Sequence, residues 1–342
     1  MGKKQRSKPS TLRCYPLVSV CTPTFNRRPF IPAIINCFKS QTYPMDKLEW
    51  IVIDDGTDKV GDMFEGIPQV KYFSYDDKMV LGKKRNLMHD KSSGDIIVYM
   101  DDDDFYPPDR VEHAVRKLQS NPKVLCGGAS EMHIYFKKLD KIYQFGPYGP
   151  NHATAGTFAF KRRLLDESRY DETAALAEEK SFLKGYTIPF IQFDTRKTIL
   201  VFSHKHNTFD KSKLLENPNP KVVKESKYRV SDFIRNNEVA DFYQNKIDSL
   251  LDNYELGSDK YKPDVVQQTK LLEEQRKKAM EQNQPRVSIT DEHGKESSVS
   301  VQELIEMLNK SRSENQSLRR IIRTLQANQN TIKDKIELDA ST

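Results

Sequence analysis

The sequence predicts an α/β fold in which a mostly parallel central sheet is covered by helices on both faces. Strand and helix signals alternate from Leu17 to about Phe209, which is typical of such a sheet. Acidic clusters follow two of the predicted strands, at Asp54-Asp55 and at Asp101 to Asp104. Because open α/β sheets bind ligands beyond the carboxyl ends of their strands, these clusters also predict the position of a site.

The first half of the domain has the order β-α-β-β-α-β-α, read from its hydrophobic pattern. In the helix Pro29–Gln41, the residues Ile31, Ile34, Ile35 and Phe38 share one face. Strands are predicted at Leu17–Thr22, Leu48–Ile53, Val70–Tyr75 and Asp95–Met100, and further helices at Gly82–Lys91 and Asp109–Ser120. Trp50 lies in a strand and is expected in the core.

The second half is richer in strands and is interpreted as the part that receives a second substrate. The expected strands are Val124–Ala129, Met132–Leu139, Gly156–Phe160 and Thr198–Phe202, with a helical stretch at Thr173–Leu183. An Asn-Pro-Asn-Pro linker, Asn217–Pro220, follows.

The domain organisation follows from composition as well as from pattern. A mean hydropathy of −0.73 with 30% charged residues is too polar for one compact globule and indicates an ordered core with a solvated tail. We expect a basic disordered arm at 1–15, the α/β domain at 16–215, a polar helical and linker region at 216–298, and a coiled-coil helix at 299–338. The helices after the linker are expected to be poorly anchored, and 285–298 to be loose.

A heptad pattern after the capping box Ser300-x-x-Glu303 predicts the coiled coil. Its two core positions are Leu304, Ser311, Leu318, Leu325 and Ile332, and Leu308, Asn315, Ile322, Gln329 and Ile336. Homo-oligomerisation through residues 304–336 is therefore possible. A long helix packed on the body, or a fraying amphipathic tail, is the alternative.

Charge and cysteine content narrow the classes of partner. The net charge of +6 is mild, and the basic first fifteen residues are expected to be a disordered terminus, or an arm that contacts an anionic membrane or nucleic acid. No apolar run approaches the roughly 20 residues of a transmembrane segment, and the cysteines lack metal-binding spacing. We expect a cytoplasmic protein, soluble or peripheral, and nucleic acid is an unlikely partner given the acidic strand ends.

The four aspartates Asp101 to Asp104 are the strongest sign of chemistry. Adjacent carboxylates repel, and a divalent cation bound to a nucleotide diphosphate would neutralise them. A solvated acidic turn is the plain alternative.

Three further segments fit the same site, and each alone is weak. Pro23, Thr24 and Asn26 follow the first strand and can cradle a nucleoside, while Asp55 can accept hydrogen bonds from a ribose or a base. The helix that opens with Gly82 and carries Lys84 and Arg85 suits a diphosphate. Ordinary turns are the alternative reading of each.

The order Pro-Thr-Phe-Asn-Arg, Ile-Asp-Asp-Gly-Thr-Asp, Gly-x-x-Arg-Asn and Ser-Gly-Asp-(apolar)-Met-Asp-Asp-Asp-Asp-x-Tyr-Pro-Pro-Asp-Arg resembles the family 2 glycosyltransferases of the GT-A fold. The resemblance covers roughly Pro16 to Phe209. One loop departs from the family pattern, because Asp54-Asp55-Gly56-Thr57-Asp58 is one residue shorter than usual.

The resemblance implies roles for the donor side of the site. Asp55 would contact the nucleoside, with Pro23 and Thr24 lining the same pocket. Arg85 would lie near the nucleotide. Asp101 and Asp103 match the Asp-x-Asp motif, with Asp103 as principal metal ligand; the register could slip by one, so that Asp102 faces the ribose.

The resemblance also implies an acidic base in the acceptor half and a late histidine ligand. Glu179 is the favoured base and Glu178 the alternative, with exposed helix charges as the plain reading. His204 or His206 would complete the metal site, and an imidazole ligand favours Mn²⁺ over Mg²⁺. The plain reading of these histidines is a surface or phosphate-contacting role.

The expected function is a metal-dependent glycosyltransferase that moves a sugar from a nucleotide-diphosphate donor to an unknown carbohydrate, glycan or protein acceptor, with inversion. One alternative is a catalytically inactive scaffold that acts through its coiled coil. A nucleotidyltransferase on a similar sheet is disfavoured, because Pro23-Thr24-Phe25-Asn26 stands where a Gly-rich basic loop would follow the first strand.

Overall fold

The computed structural model describes residues 15–175, 179–207, 210–216, 218–282, 286–290 and 293–339. The predicted basic arm at 1–15 lies outside these residues except for Tyr15. The chain divides into two compact units, Met1–Thr269 and Lys270–Thr342, which are described separately.

The structure contains strands and helices with the following bounds. The strands are β1 (Val18–Thr24), β2 (Leu48–Asp54), β3 (Val70–Ser74), β4 (Ile96–Tyr99), β5 (Cys126–Gly128), β6 (Met132–Phe136), β7 (Lys141–Phe145), β8 (Ala159–Lys161), β9 (Phe190–Gln192), β10 (Val201–Ser203), β11 (Val223–Glu225), β12 (Arg286–Thr290) and β13 (Glu296–Ser300). The helices are α1 (Ile31–Lys39), α2 (Leu81–Lys91), α3 (Arg110–Ser120), α4 (Glu179–Phe182), α5 (Asn237–Asp241), α6 (Ile247–Asp252), α7 (Pro263–Gln282) and α8 (Val301–Asp339). Within the described ranges, no helix is long and apolar enough to cross a membrane.

A seven-stranded sheet with the order β3-β2-β1-β4-β8-β5-β9 forms the centre of the first unit. Every neighbouring pair is parallel except those that involve β8, which runs antiparallel to β4 and to β5. The predicted α/β class with a mostly parallel sheet is therefore confirmed. This direction brings the carboxyl ends of β1, β2, β4, β5 and β9 to one edge.

The sheet is buried on both faces, as a parallel sheet requires. All seven residues of β2 are buried. Trp50 and Val52 join the cluster that contains α1 and α3, whereas Ile51 and Ile53 join the cluster of Met88 on α2. Trp50 is a core residue as predicted, since it stacks on Phe38 with ring centroids 4.4 Å apart.

The first unit continues well beyond the predicted boundary at 215. Strand β11 pairs with β7 in a second sheet of order β10-β6-β7-β11. An apolar stripe runs along α5, the π turn that follows it, and α6. Its residues are spaced four apart and are all buried: Val239, Tyr243, Ile247 and Leu251. The expectation of poorly anchored helices was wrong, because this regular apolar stripe packs on the body.

The helix predicted at Thr173–Leu183 is shorter in the structure, within the residues that the structure describes. Residues 171–175 contain a turn, Leu176 to Glu178 lie outside the described residues, and α4 spans only Glu179–Phe182.

The second unit contains a β-hairpin and a long helix. Strands β12 and β13 pair antiparallel, with Val287 opposite Val299, so the expectation of a loose segment at 285–298 was wrong. The capping box is confirmed, since Ser300 and Glu303 each accept a hydrogen bond from the other's backbone N–H. Helix α8 covers the heptads, but its pairing with a second helix stays a prediction.

Glu49 ties together the sheet edge opposite the strand carboxyl ends. Its carboxylate accepts hydrogen bonds from Ser19 Oγ on β1, from the 93–94 turn before β4, and from Lys71 Nζ on β3 at 2.6 Å. Burial alone would raise the pKa of Glu49, but the hydrogen bonds from Lys71, Ser19 and Ser93 outweigh it and lower the pKa to about 2. One carboxylate therefore fixes four adjacent strands.

Replacing Glu49 with Gln should lower stability at neutral pH by roughly 3 kcal/mol, since the ionised form is the one that is hydrogen-bonded. A depressed folded-state pKa stabilises above the unfolded value, and this stabilisation disappears as pH falls from about 4.5 towards 2. Urea unfolding of the wild type and the variant between pH 7 and pH 3 should show that the difference in their unfolding free energies decreases as the pH falls. The exposed Glu65→Gln variant is the control, and a gap that stays constant with pH would contradict the assignment.

Candidate functional site

A pocket opens at the carboxyl edge of β1 and β4, where the sequence placed the site. The side chains that line it come from the β1 and β4 ends, from α2 and the loop before it, and from the start of α7: Pro23, Thr24, Phe25, Arg27, Lys78, Met79, Leu81, Lys84, Arg85, Asp101, Asp102, Asp103, Ala175, Lys262, Asp264 and Val265. The lining is strongly charged and contains both signs.

The four aspartates after β4 point in different directions. Asp101, Asp102 and Asp103 line the pocket. Asp104 turns inward, where its carboxylate accepts the Phe202 N–H at 3.1 Å and its carbonyl accepts the Tyr243 hydroxyl at 2.9 Å. The first three aspartates therefore line the pocket, and the fourth holds β10 and the π turn beside it.

Arg27 is the cation that compensates the central pair. Its guanidinium lies 3.5 Å from Asp102 Oδ1 and 3.3 Å from Asp103 Oδ2, and the side chain is almost fully buried. Its Nη1 makes no hydrogen bond within the described part of the chain. The sequence analysis quoted Arg27 only as part of a motif and gave it no role.

The two neighbouring carboxylates have different proton affinities. Burial raises the pKa of Asp103, but the hydrogen bond from His204 and the charge of Arg27 outweigh it and hold the pKa well below its usual range. For Asp102, burial dominates over the opposing charge of Arg27, and with the repulsion of Asp103 it raises the pKa to about 7. Asp103 is thus the firmly ionised carboxylate of the pair.

The two histidines have separate environments. His204 is buried with Nε2 at 3.2 Å from Asp103 Oδ2, and burial lowers its pKa to about 4. His206 faces the other way: a Cβ added to Gly257 would meet its Nδ1 at 2.6 Å. The structure brings His204, but not His206, to the predicted principal ligand.

Two of the predicted donor-binding residues, Asp55 and Asn26, do not belong to the pocket lining. Asp55 is buried, with one oxygen on Lys84 Nζ and the other accepting the Met79 N–H at 2.6 Å. Asn26 has φ of 52°, and its Oδ1 accepts the N–H groups of Thr57 and Asp58 at 2.8 and 3.0 Å. Pro23 and Thr24 do line the pocket. The short loop after β2 is therefore held by Asn26.

The start of α2 is tied into its surroundings. Lys84 Nζ donates to Thr24 O at 3.1 Å as well as to Asp55, and burial lowers its pKa. The Arg85 guanidinium lies 3.6 Å from Asp101 Oδ1 and 4.6 Å from the centroid of the Tyr99 ring. Both residues line the pocket, and their contact with a nucleotide stays a prediction.

Of the two predicted catalytic glutamates, only Glu179 lies among the described residues. Glu179 is the first residue of α4 and is half-buried, while Glu178 lies outside the described residues. Ala175, four positions earlier, lines the pocket, and the 171–175 turn packs on α2 through the Gly82 N–H, which donates to Ala174 O at 2.9 Å. Glu179 follows a segment that forms one wall of the site.

Lys262 and the residues around it are functional candidates that the sequence analysis missed. Lys262 is buried in the pocket, and burial, together with the nearby charge of Arg27, lowers its pKa to about 7. Lys78 also lines the pocket and pairs with Asp264 at 2.6 Å. The Lys-Pro-Asp start of α7 marks a helix beginning in the sequence, but nothing there shows where that beginning docks.

The fit of a divalent cation can be tested on the donor set. No group of three or more His, Cys, Asp or Glu side chains in the described part of the chain is arranged to hold a metal ion. Asp103 Oδ2 and His204 Nε2 nevertheless form a close pair of donors, and Mg²⁺-type sites commonly use one or two protein ligands plus substrate phosphates. The residues fit a cation that arrives with a diphosphate.

Comparison with known proteins identifies the domain. Residues 19–167 match the family model described as glycosyl transferase family 2. Chondroitin synthase of Escherichia coli is 23% identical over 271 residues, which cover 73% of this chain and 39% of that protein. An uncharacterized glycosyltransferase of Haemophilus influenzae is 30% identical over 119 residues, covering 33% of this chain and 46% of the relative.

Solved glycosyltransferase structures resemble part of this chain. The mannosyltransferase PcManGT from Pyrobaculum calidifontis, in complex with GDP-Man and Mn²⁺, has a TM-score of 0.47 at 19% identity, covering 61% of this chain and 66% of its own. TarS of S. aureus has a TM-score of 0.44 at 16% identity, covering 54% and 36%.

Residues 19–167 therefore resemble a glycosyl transferase family 2 domain, and both relatives are glycosyltransferases by name. The match to each of the two curated relatives named above spans less than half of that relative's own length.

The wall formed by the 171–175 turn can be tested at Gly82. A Cβ at this position would lie 1.9 Å from the Asp171 carbonyl oxygen, so Gly82→Ala must displace the turn from α2. We expect a loss of about 1–3 kcal/mol in unfolding free energy, measured by chemical denaturation. Gly149→Ala is the control, because its Cβ meets nothing nearer than 3.9 Å. Equal stability of the two variants would contradict this packing.

Proposed function

We propose that the protein transfers a sugar from a nucleotide-diphosphate donor to the hydroxyl group of an acceptor. The observation that carries the proposal is the pocket itself, in which three aspartates and several buried cations meet at the strand ends of a family 2 domain. Such a mixture of charges suits a diphosphate that is bound together with a cation.

The donor would lie along the pocket with its nucleoside at the β1 end. Pro23, Thr24 and Phe25 offer small and flat surfaces there, and the Lys78 ammonium lies 5.3 Å from the centroid of the Phe25 ring. The diphosphate would face Arg27 and Arg85. Asp55 and Lys84 would support the donor site indirectly. Asp55 accepts the Met79 N–H and Lys84 donates to Thr24 O, so the two side chains hold these two lining segments in place.

We propose Asp103 and His204 as the protein ligands of a divalent cation, with Asp101 nearby as a further carboxylate. A histidine donor favours Mn²⁺ over Mg²⁺. The cation, when bound, would neutralise charge on the leaving diphosphate. Asp102, with its raised pKa, is free to hydrogen-bond a ribose or sugar hydroxyl in its protonated form.

Glu179 would accept the proton of the acceptor hydroxyl as that oxygen attacks the anomeric carbon and the bond to the diphosphate breaks. A single displacement of this kind inverts the anomeric configuration. Glu178 remains the alternative base.

Asp103 distinguishes the proposed transferase from an inactive scaffold, because a scaffold would release no nucleotide and would not respond to a change at Asp103. Purified protein with Mn²⁺ should slowly hydrolyse one of a panel of UDP-, GDP- and TDP-sugars, since water can replace the acceptor. Asp103→Asn should reduce the release of nucleotide by about 100-fold or more, because it removes the ionised carboxylate closest to the proposed cation. Asp46→Asn, an exposed acid at the opposite sheet edge, is the control. If no donor is hydrolysed and no donor binds in calorimetry, the scaffold reading stands.

The role of Glu179 can be separated from donor binding. Glu179→Gln keeps the shape of the side chain but cannot accept a proton, so turnover of the identified donor should fall by about 10²–10⁴-fold. The Kd for the donor, measured by calorimetry with Mn²⁺, should stay within a factor of two or three. Full activity in Glu179→Gln would move the role to Glu178 or to another group.

A further inference from the structure

A segment beyond the family 2 match completes the donor pocket. Residues 254–268, here called the strap, lead into α7 and contribute Lys262, Asp264 and Val265 to the pocket wall. The matched domain ends at residue 167. The strap therefore adds chemistry that the matched domain does not contain.

The first part of the strap is fastened to the loops that surround the nucleoside end. The Tyr254 hydroxyl donates to Asp58 Oδ2 at 2.8 Å, and Asn26 Nδ2 donates to Leu256 O at 3.0 Å. Gly257 packs so closely on the His206 ring that a side chain would not fit.

The second part is fastened to the opposite walls. Asp264 pairs with Lys78, and the Gln268 amide donates to Thr173 O at 2.7 Å and accepts the Ala175 N–H at 2.8 Å. These ties lie on both sides of Lys262, so the backbone around Lys262 is held in place.

Lys262 is a buried amine that forms no ion pair within the described residues, although the charges of Asp102, Asp103 and Asp259 act on it from a distance. Its Nζ donates to His206 O at 3.1 Å, and among the described residues no carboxylate lies within ion-pairing distance of it. A buried ammonium without an ionic partner is unfavourable, and here the nearby guanidinium of Arg27 adds repulsion.

An arginine nitrogen without a hydrogen bond belongs to the same pocket lining. Arg27 Nη1 is buried and makes no hydrogen bond within the described residues, although its other nitrogens reach Asp102 and Asp103. Lys262, which has no ion-pair partner among the described residues, and Arg27 Nη1 both line this pocket, and an anion bound there would compensate both. Asp101, Asp102 and Asp103 each lie close to Arg85, Arg27 or His204, and none of them forms an ion pair with Lys262 in the described part of the chain.

We propose that Lys262 binds the diphosphate of the nucleotide directly, together with Arg27 Nη1, and that the strap is the element that delivers it. This inference rests on the proposed function and assigns a residue outside the matched domain to the donor site. Lys262 donates charge-assisted hydrogen bonds to phosphate oxygens whose negative charge grows as the sugar leaves.

Calorimetry with UDP and GDP on the full chain tests this assignment, with Mn²⁺ and separately with EDTA. Lys262→Met should weaken binding of the nucleoside diphosphate by about tenfold or more, because one charge-assisted contact is lost. Binding of the nucleoside alone, uridine or guanosine, should not change. Lys262→Arg should recover most of the affinity.

Lys260→Met is the matched control, because Lys260 lies on the same strap but is 53% exposed and pairs with Glu255. It should bind nucleoside diphosphates as the wild type does. Lys262→Gln is measured in parallel with Lys262→Met, and unfolding of both would assign Lys262 a structural role and overturn the inference.

Two further outcomes are decisive and distinguishable. If the wild type binds a nucleoside diphosphate and Lys262→Met binds it equally well, the inference fails while the proposed function stands. If the wild type binds none, both fail together. An equal loss of nucleoside and nucleoside-diphosphate affinity in Lys262→Met would show distortion of the pocket and also overturn the inference.

Discussion

The structure of this site depends on compensation of the negative charge at the end of β4. Four consecutive carboxylates repel one another, and burial increases that repulsion because the local dielectric is low. The fold gives every aspartate a partner: Arg85 for Asp101, Arg27 for both Asp102 and Asp103, His204 as well for Asp103, and the backbone of Phe202 for Asp104. These partners come from the end of β1, from α2 and from the segment around β10, so the acidic cluster draws distant parts of the chain to one edge of the sheet.

That requirement explains why the site extends past the recognisable domain. His204 and Lys262 both lie after residue 167, and the packing of α5 and α6 on the body is what carries the chain back to the pocket. Tyr243 connects the π turn between these helices to the acidic cluster. Its ring stacks on Phe202 with centroids 4.1 Å apart, and its hydroxyl donates to the Asp104 carbonyl. The region after the linker is structurally part of the site.

The sequence was informative wherever the determinants are local. Apolar runs ending in acids locate β2 and β4, and the Pro-Thr turn locates the end of β1, because these patterns need no knowledge of distant residues. Long-range packing was not accessible in this way. Nothing local shows that the stripe Val239, Tyr243, Ile247 and Leu251 docks beside β10, or that Lys262 is buried. Likewise, the sequence predicts that Asp55 and Lys84 bind a ligand, but it cannot show that their side chains pair with each other.

The balance of charge in the pocket indicates the form in which a donor would enter. Four acidic and five basic side chains line it, so its formal charge is close to neutral when all are ionised. A free diphosphate would meet three aspartates, and a free divalent cation would meet Arg27 and Lys262; each alone is opposed by a buried like charge. A cation already paired with a diphosphate is nearly neutral and presents each charge to its opposite. Under the proposed function, the same electrostatic argument would favour joint binding of cation and nucleotide, with the cation towards Asp103 and the phosphates towards Lys262.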